Sequence, residues 1–215
     1  IGASGGGGGG RIAVILSPAA QSNVATMGIT FQAAGGISGG GYGDLGTLYF
    51  PDNQFMTNPM VHSGQWCVPG VTNWALAGLL FTNAWIRFPA PNFVLTVTNN
   101  ILMTGNDPKA YGLQLLDGHV ECGGHTTLRG AGLTLYNSGA VTASVAVGGN
   151  LILTNSGGAT SGGALWVYAG ATNLPASDYG ALVAVTGTLY LSTNSTIYPY
   201  SHATNGGSVL FSVQD

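Results

Sequence analysis

The sequence repeats itself in small pieces, and self-similarity at a period of tens of residues points to solenoids, propellers or repeat arrays. A glycine pair or run leads straight into an extended apolar stretch four times: Gly9-Gly10-Arg11-Ile12-Ala13-Val14, Gly46-Thr47-Leu48-Tyr49-Phe50, Gly162-Gly163-Ala164-Leu165-Trp166-Val167 and Gly206-Gly207-Ser208-Val209-Leu210-Phe211. A second pattern joins two alternating strands through a small polar corner. Its copies are Val97 to Thr104, Val147 to Thr154 and Val185 to Ser192. A looser echo sets Gly78-Leu79-Leu80-Phe81-Thr82-Asn83 against Gly132-Leu133-Thr134-Leu135-Tyr136-Asn137.

The apolar runs are brief stretches of Val, Ile, Leu, Thr, Tyr and Phe bounded by Gly, Asn or Ser, the signature of short strands. Helical periodicity is nearly absent, and Trp74 to Phe81 reads as the start of a strand. The intervals from Ile12 to Leu48, from Leu151 to Leu189 and from Gly162 to Gly206 drift between roughly 36 and 44 residues, near the length of a propeller blade. The signature aromatic and Asp positions of such a blade are missing. A coil of a parallel β-helix takes about 18 to 25 residues, so each interval is expected to hold two coils, and Leu133 to Leu151 a single one. The expected fold is therefore all-β, a right-handed parallel β-helix (β-solenoid), with residues 1–215 as one domain. The stretch 51–70 carries three prolines, Met56, Met60 and Cys67 and departs from the repeat, so it is expected as a lateral loop or insertion.

Composition fits this frame. Of 215 residues 37 are Gly, and only 5% are charged, against a usual share of about 25%. Stacked coils would set like charges directly above one another, which destabilises a sheet, whereas Thr, Ser and Asn keep outer faces neutral and water-compatible. With four Lys and Arg and a net charge of −3 there is no basic footprint for nucleic acid or anionic lipid, so neither is expected as a partner. The longest near-apolar run falls far short of the roughly 20 residues of a membrane-spanning helix.

The segments Gly2 to Val14, Gly35 to Phe50 and Val185 to Phe211 resemble the glycine-rich parallel β-helix regions of very large secreted or surface proteins of environmental bacteria. The resemblance is compositional and periodic, and carries no catalytic signature. It implies a secreted or cell-surface, adhesin-like location and a structural role as fibre subunit, stalk or adhesin segment. Those proteins are far longer than this chain, which begins at Ile1 without a charged and apolar leader, so an excerpt or a processed subunit is expected. Self-association is the expected partnership: a head-to-tail homopolymer in which Gly10 to Ser17 of one molecule, with Arg11, Ile12 and Val14, pairs with Ser208 to Val213 of the next, with Val209, Leu210 and Phe211.

Chemistry-bearing residues concentrate in one place. Asp107, Lys109, Asp117, Glu121 and Arg129 share one short window, the one stretch where acid and base groups of a polysaccharide-cleaving β-helix have room to assemble. On an unbroken strand Asp117 and Glu121 would lie roughly 13 Å apart, beyond the about 5 to 9.5 Å that glycosidase pairs need, so no enzymatic activity is expected. His119, Glu121 and His125 form a conceivable N, O, N metal-ligand set, but the later P-C-x-x-C of zinc deaminases is missing, so neither metal nor cofactor is expected. Cys67 and Cys122 allow one disulfide or two free thiols. The glycine run Gly5 to Gly10 lacks the Lys-Ser or Lys-Thr of a phosphate loop. Trp66, Trp74, Trp85, Trp166, Tyr198 and Tyr200 either fill the core or, where exposed, stack on the sugar rings of surface glycans. Carbohydrate binding or cleavage is thus the alternative to the structural role.

Overall fold

Short strands bounded by Gly and Asn can bury one face only by stacking on their like, and a computed structural model shows them doing so. It describes all residues except 1–5, 16, 22–28, 39–40, 57–61, 139–141, 158–160, 171–178, 203–206 and 215. Gly2, Gly5, Met60 and Gly206, named above, fall outside the described residues.

The chain opens with β1 (Arg11–Ala13), a helical turn α1 (Pro18–Gln21), a short antiparallel pair β2 (Ile37–Ser38) and β3 (Gly41–Tyr42), then β4 (Thr47–Tyr49) and β5 (Gly64–Cys67). A rotation follows: β6 (Asn73–Leu76), β7 (Leu79–Thr82), β8 (Ala84–Phe88), β9 (Val94–Val97), β10 (Ile101–Thr104), β11 (Gly112–Leu116), β12 (His119–Cys122), β13 (Thr126–Arg129) and β14 (Gly132–Tyr136). It continues through β15 (Ala143–Val147), β16 (Leu151–Thr154), β17 (Ala164–Tyr168), β18 (Ala181–Val185), β19 (Leu189–Leu191), β20 (Thr196–Tyr200) and β21 (Val209–Val213).

These strands form three parallel sheets visited in turn. The first runs β1-β4-β5-β8-β11-β14-β17-β20, the second β6-β9-β12-β15-β18-β21 and the third β7-β10-β13-β16-β19. From β6 onward each strand pairs with the strand three places later, an all-β winding compatible with a β-solenoid. No helix among the described residues is long and apolar enough to cross a membrane.

Register settles the repeat. Leu95, Val120 and Val145 are successive partners at equal spacing, as are Ile101, Thr126 and Leu151. The longer intervals are single steps as well, because Ile12 pairs directly with Leu48 and Leu151 directly with Leu189. This corrects the expectation of two coils per interval: the surplus residues leave as loops between strands, and the stacked strands stay in register. Leu133 and Leu151 are not equivalent, since β14 and β16 belong to different sheets; the same holds for the echo of β7 in β14 and for β21 against β1, β4 and β17. The second pattern does mark equivalent places, each copy running from the second sheet into the third. The stretch 51–70 is only partly a lateral loop, because Gly64–Cys67 is strand β5 of the first sheet and Phe55 and Met56 are buried.

Corners are made by residues that tolerate the left-handed region. Asn83 (φ 53°) and Gly130 (φ 58°) turn the chain from the third sheet into the first, and Asn92 (φ 59°) and Asp117 (φ 48°) turn it from the first into the second. Asp117 is buried, and its carboxylate is answered by the Ser138 backbone N–H at 2.6 Å and the Ser138 hydroxyl at 2.5 Å.

The core is a set of columns in which each inward side chain sits about 4.8 Å from its counterpart in the next coil. Ile86, Leu113, Leu133 and Leu165 make one such column, Leu95, Val120, Val145 and Val183 another, and nearly all are fully buried. Phe88 stacks on Phe93 at 3.9 Å, closing the corner between the first two sheets. One position breaks the apolar rule. Thr126 stands between Ile101 and Leu151, is fully buried, and its hydroxyl meets no partner among the described residues. A buried hydroxyl without a hydrogen bond costs about 1 to 3 kcal/mol. Thr126→Val, which keeps the shape and removes the orphan hydroxyl, is therefore expected to stabilise the fold by about 1 kcal/mol, measured as a rise in melting temperature or urea midpoint.

Candidate functional site

Strand alternation sends every second residue outward, and the first sheet concentrates its aromatic residues there. In register, the outward residues are Trp85 and Arg87 on β8, Gly112, Gln114 and Leu116 on β11, Gly132, Thr134 and Tyr136 on β14, Ala164, Trp166 and Tyr168 on β17, and Thr196, Tyr198 and Tyr200 on β20. Trp66 and Trp74 go the other way and are buried in the core. The six aromatic candidates thus divide, two filling the core and four lying on the outer face.

The outer aromatics are ordered. Tyr136, Tyr168 and Tyr200 stack in a column with ring centroids 4.6 and 4.4 Å apart, and Trp166 lies parallel to Tyr198 at 5.7 Å and 4°. Burial first, and then the neighbouring phenols of Tyr136 and Tyr200, hold the Tyr168 hydroxyl above the usual tyrosine pKa of 10.0. Trp166 leans across β14: a Cβ at Gly132 would stand 2.4 Å from the Pro108 carbonyl oxygen and 2.5 Å from the Trp166 Cζ3, so glycine is what lets both lie against the sheet here. Two adjoining grooves open beside this face. One, of about 230 Å³, is lined by Trp85, Lys109, Thr134, Tyr136 and Trp166; the other, of about 400 Å³, by Asp44, Gln65, Trp85, Asn106, Asp107 and Lys109. Trp85 and Lys109 border both.

The acid and base candidates are scattered. Asp107 and Lys109 sit in an exposed turn beside the first sheet, where the Lys109 backbone N–H donates to the Asp107 carboxylate at 2.9 Å. Asp117 is the buried corner already described. Glu121 faces outward from the second sheet, where the Thr96 hydroxyl donates to it at 3.4 Å, and Arg129 is exposed on the third. The window therefore spreads over three faces instead of converging, because each of its strands belongs to a different sheet.

The metal candidates separate for the same reason. His119 shares the outer face of β12 with Glu121, but its Nδ1 is engaged by the Ser144 hydroxyl at 2.8 Å. His125 stands at the corner between the second and third sheets. Among the described residues no group of three or more His, Cys, Asp or Glu is placed to hold a metal ion. Cys67 and Cys122 are free thiols: one faces outward from the first sheet, the other is buried on β12 of the second, with its Sγ 3.1 Å from the Asn99 carbonyl. The assembly candidates lie on sheet edges. Arg11, Ile12 and Val14 belong to β1 or follow it at the edge of the first sheet, while Val209, Leu210 and Phe211 belong to β21 at the edge of the second.

Two histidines have structural roles that sequence reasoning did not assign. His125 completes a side-chain ladder: its backbone N–H donates to Asn100 Oδ1 at 2.7 Å, its Nδ1 accepts from the Asn150 N–H at 2.8 Å, and Asn150 Oδ1 accepts from the Thr188 N–H at 3.0 Å. Equal corner positions in Val97 to Thr104 and Val147 to Thr154 were the signal. His125→Asn, which repeats the ladder residue of both neighbouring coils, is expected to keep stability, whereas His125→Ala should lower it by about 1 kcal/mol in thermal or urea unfolding.

His62 is buried in a cluster of Phe31, Phe50, Phe55 and Trp66, with its ring 5.0 Å from that of Trp66. Its Nε2 donates to the Phe55 carbonyl at 2.6 Å and its Nδ1 accepts from the Phe31 N–H at 3.1 Å, so both nitrogens are satisfied in the neutral form. Desolvation lowers its pKa from 6.5, and the Phe55 contact opposes this only in part. Unfolded chain then binds a proton that the folded chain refuses, so stability is full above pH 6.5 and falls as the pH drops below it. His62→Gln is expected to flatten that slope. Melting temperatures of both proteins from pH 7.5 to 5 check it.

No protein-family model, curated protein or solved structure matches the chain.

Proposed function

We propose that the protein is a structural element of a secreted or surface-displayed assembly: a right-handed parallel β-helix serving as fibre subunit, stalk or adhesin segment and continued end to end by further copies. The handedness follows from the strong preference of parallel crossovers for the right-handed path. Three parallel sheets whose outward strand positions carry few charges suit an extended rod.

The observation that carries the reading is the state of the last coil. Leu191 and Val213 are 44% and 37% exposed, although their partners one coil back, Leu153 and Val185, are 0% and 2% exposed. Among the described residues the inward positions of β19 to β21 are apolar yet have no covering layer, and β19, β20 and β21 each end a sheet without a further paired strand. β1 ends the first sheet on the opposite side. Continuity of that sheet sets β1 of one molecule against β20 of the next, with β21 capping the neighbouring face. This revises the expected β1 to β21 pairing, since those two strands edge different sheets. Such a contact is heterologous and does not close, so it propagates.

Electron micrographs of the purified protein are expected to show filaments with an axial repeat of about 4.8 Å times the number of stacked coils. Leu191→Glu combined with Val213→Glu should leave monomers. A wild-type protein that sediments as a monomer at all concentrations would reject the reading.

A further inference from the structure

We infer that the outer face of the first sheet is a binding site for neutral oligosaccharides built of hexopyranose units, centred on Trp85 and Trp166. This is independent of end-to-end assembly, because the face runs along the side of the stack and not across its ends.

The chemistry of a pyranose ring is two-sided: a patch of axial C–H groups seeks a flat aromatic surface, while equatorial hydroxyls seek hydrogen-bond partners around it. The first sheet offers both. In the register column that begins at Trp85 the next two outward positions are Gly112 and Gly132, both buried, and the Trp166 ring and the Pro108 carbonyl lie over Gly132. Trp85 stands on β8 and Trp166 on β17, three strand steps or about 14 Å apart, and the Trp166 ring reaches back over β14, so that both tryptophans line one groove. Trp166 is held with one face on Tyr198 and leans over Gly132, which fixes its orientation before any ligand arrives. The tyrosine column has its faces occupied by its own members, so Tyr136 and Tyr168 contribute ring edges and hydroxyls as a wall.

Polar partners are ranged along the rim. Thr134 and Lys109 line the smaller groove; Gln65, Asn106 and Asp107 line the larger, and Trp85 and Lys109 border both. Charge decides the ligand class. Lys109 shares the lining of the larger groove with Asp107 and Asp44, so this face carries no net positive charge to attract uronate or sulfate chains. A neutral chain is the matching ligand.

The test uses the full chain and a panel of hexaoses: β-1,4-glucan, β-1,3-glucan, α-1,4-glucan, β-1,4-mannan, β-1,4-galactan and, as the acidic arm, oligogalacturonate. Isothermal titration and tryptophan fluorescence are read together. At least one neutral hexaose is expected to bind and to perturb indole emission, with affinity about tenfold weaker in Trp85→Ala and in Trp166→Ala, partly restored in Trp85→Phe. Circular dichroism reports folding, and should Trp166→Ala not fold, Trp85→Ala and Trp85→Phe decide. Absence of binding by every neutral hexaose, binding indifferent to Trp85→Ala, or preference for oligogalacturonate each overturns the proposal. Leu191→Glu with Val213→Glu, which blocks assembly, is expected to leave glycan affinity unchanged, so failure of the one reading is distinguishable from failure of the other.

Discussion

Everything in this molecule depends on strands of successive coils meeting in parallel register about 4.8 Å apart. That spacing stacks each residue on its counterpart, so a position is never chosen alone. A column of Leu and Val packs to a dry layer, as from Ile86 to Leu165. A column of like charges would repel, and a shortage of charge follows directly. The same rule turns corners into ladders, where Asn100, His125 and Asn150 pass hydrogen bonds from coil to coil. It also turns outward tyrosines into a stack, from Tyr136 to Tyr200.

The departures from column logic are informative because each has a local remedy or a local cost. Asp117 is a carboxylate at a buried corner, and Ser138 satisfies it twice. His62 is an imidazole inside an aromatic cluster, kept neutral by burial and by partners at both nitrogens. Thr126 has no such answer among the described residues and marks a weak layer. The outward glycine Gly132 lets the half-buried Trp166 ring and the Pro108 carbonyl lie directly against the first sheet.

Much of the architecture was legible in the residues. Runs of Val, Leu and Ile between Gly and Asn announced short strands, and the polar corners of Val97 to Thr104, Val147 to Thr154 and Val185 to Ser192 marked one corner correctly. The length of a coil was not legible, because loops absorb residues without altering the register. Val120 returns to Val145 by a short path, while Ile12 reaches Leu48 and Leu151 reaches Leu189 by much longer ones, and each is a single step of the stack. Residues close in sequence were also a poor guide to neighbourhood. Asp107, Glu121 and Arg129 fall within one short window but on three different faces, since the chain changes sheet every few residues. By contrast Tyr136, Tyr168 and Tyr200, far apart but evenly spaced along the chain, become neighbours, and Trp166 meets Tyr198 at the same interval.

The amino-acid sequence by itself determined that this chain forms short strands, that Gly and Asn turn its corners, and that its surface is almost without charge. These are local properties, settled by backbone sterics and by which residue types tolerate repetition. Only the tertiary structure decided which strands stack, how many residues each coil consumes, and which aromatics face outward on the first sheet. Those depend on register, and register emerges from the packing of whole columns and not from any single segment.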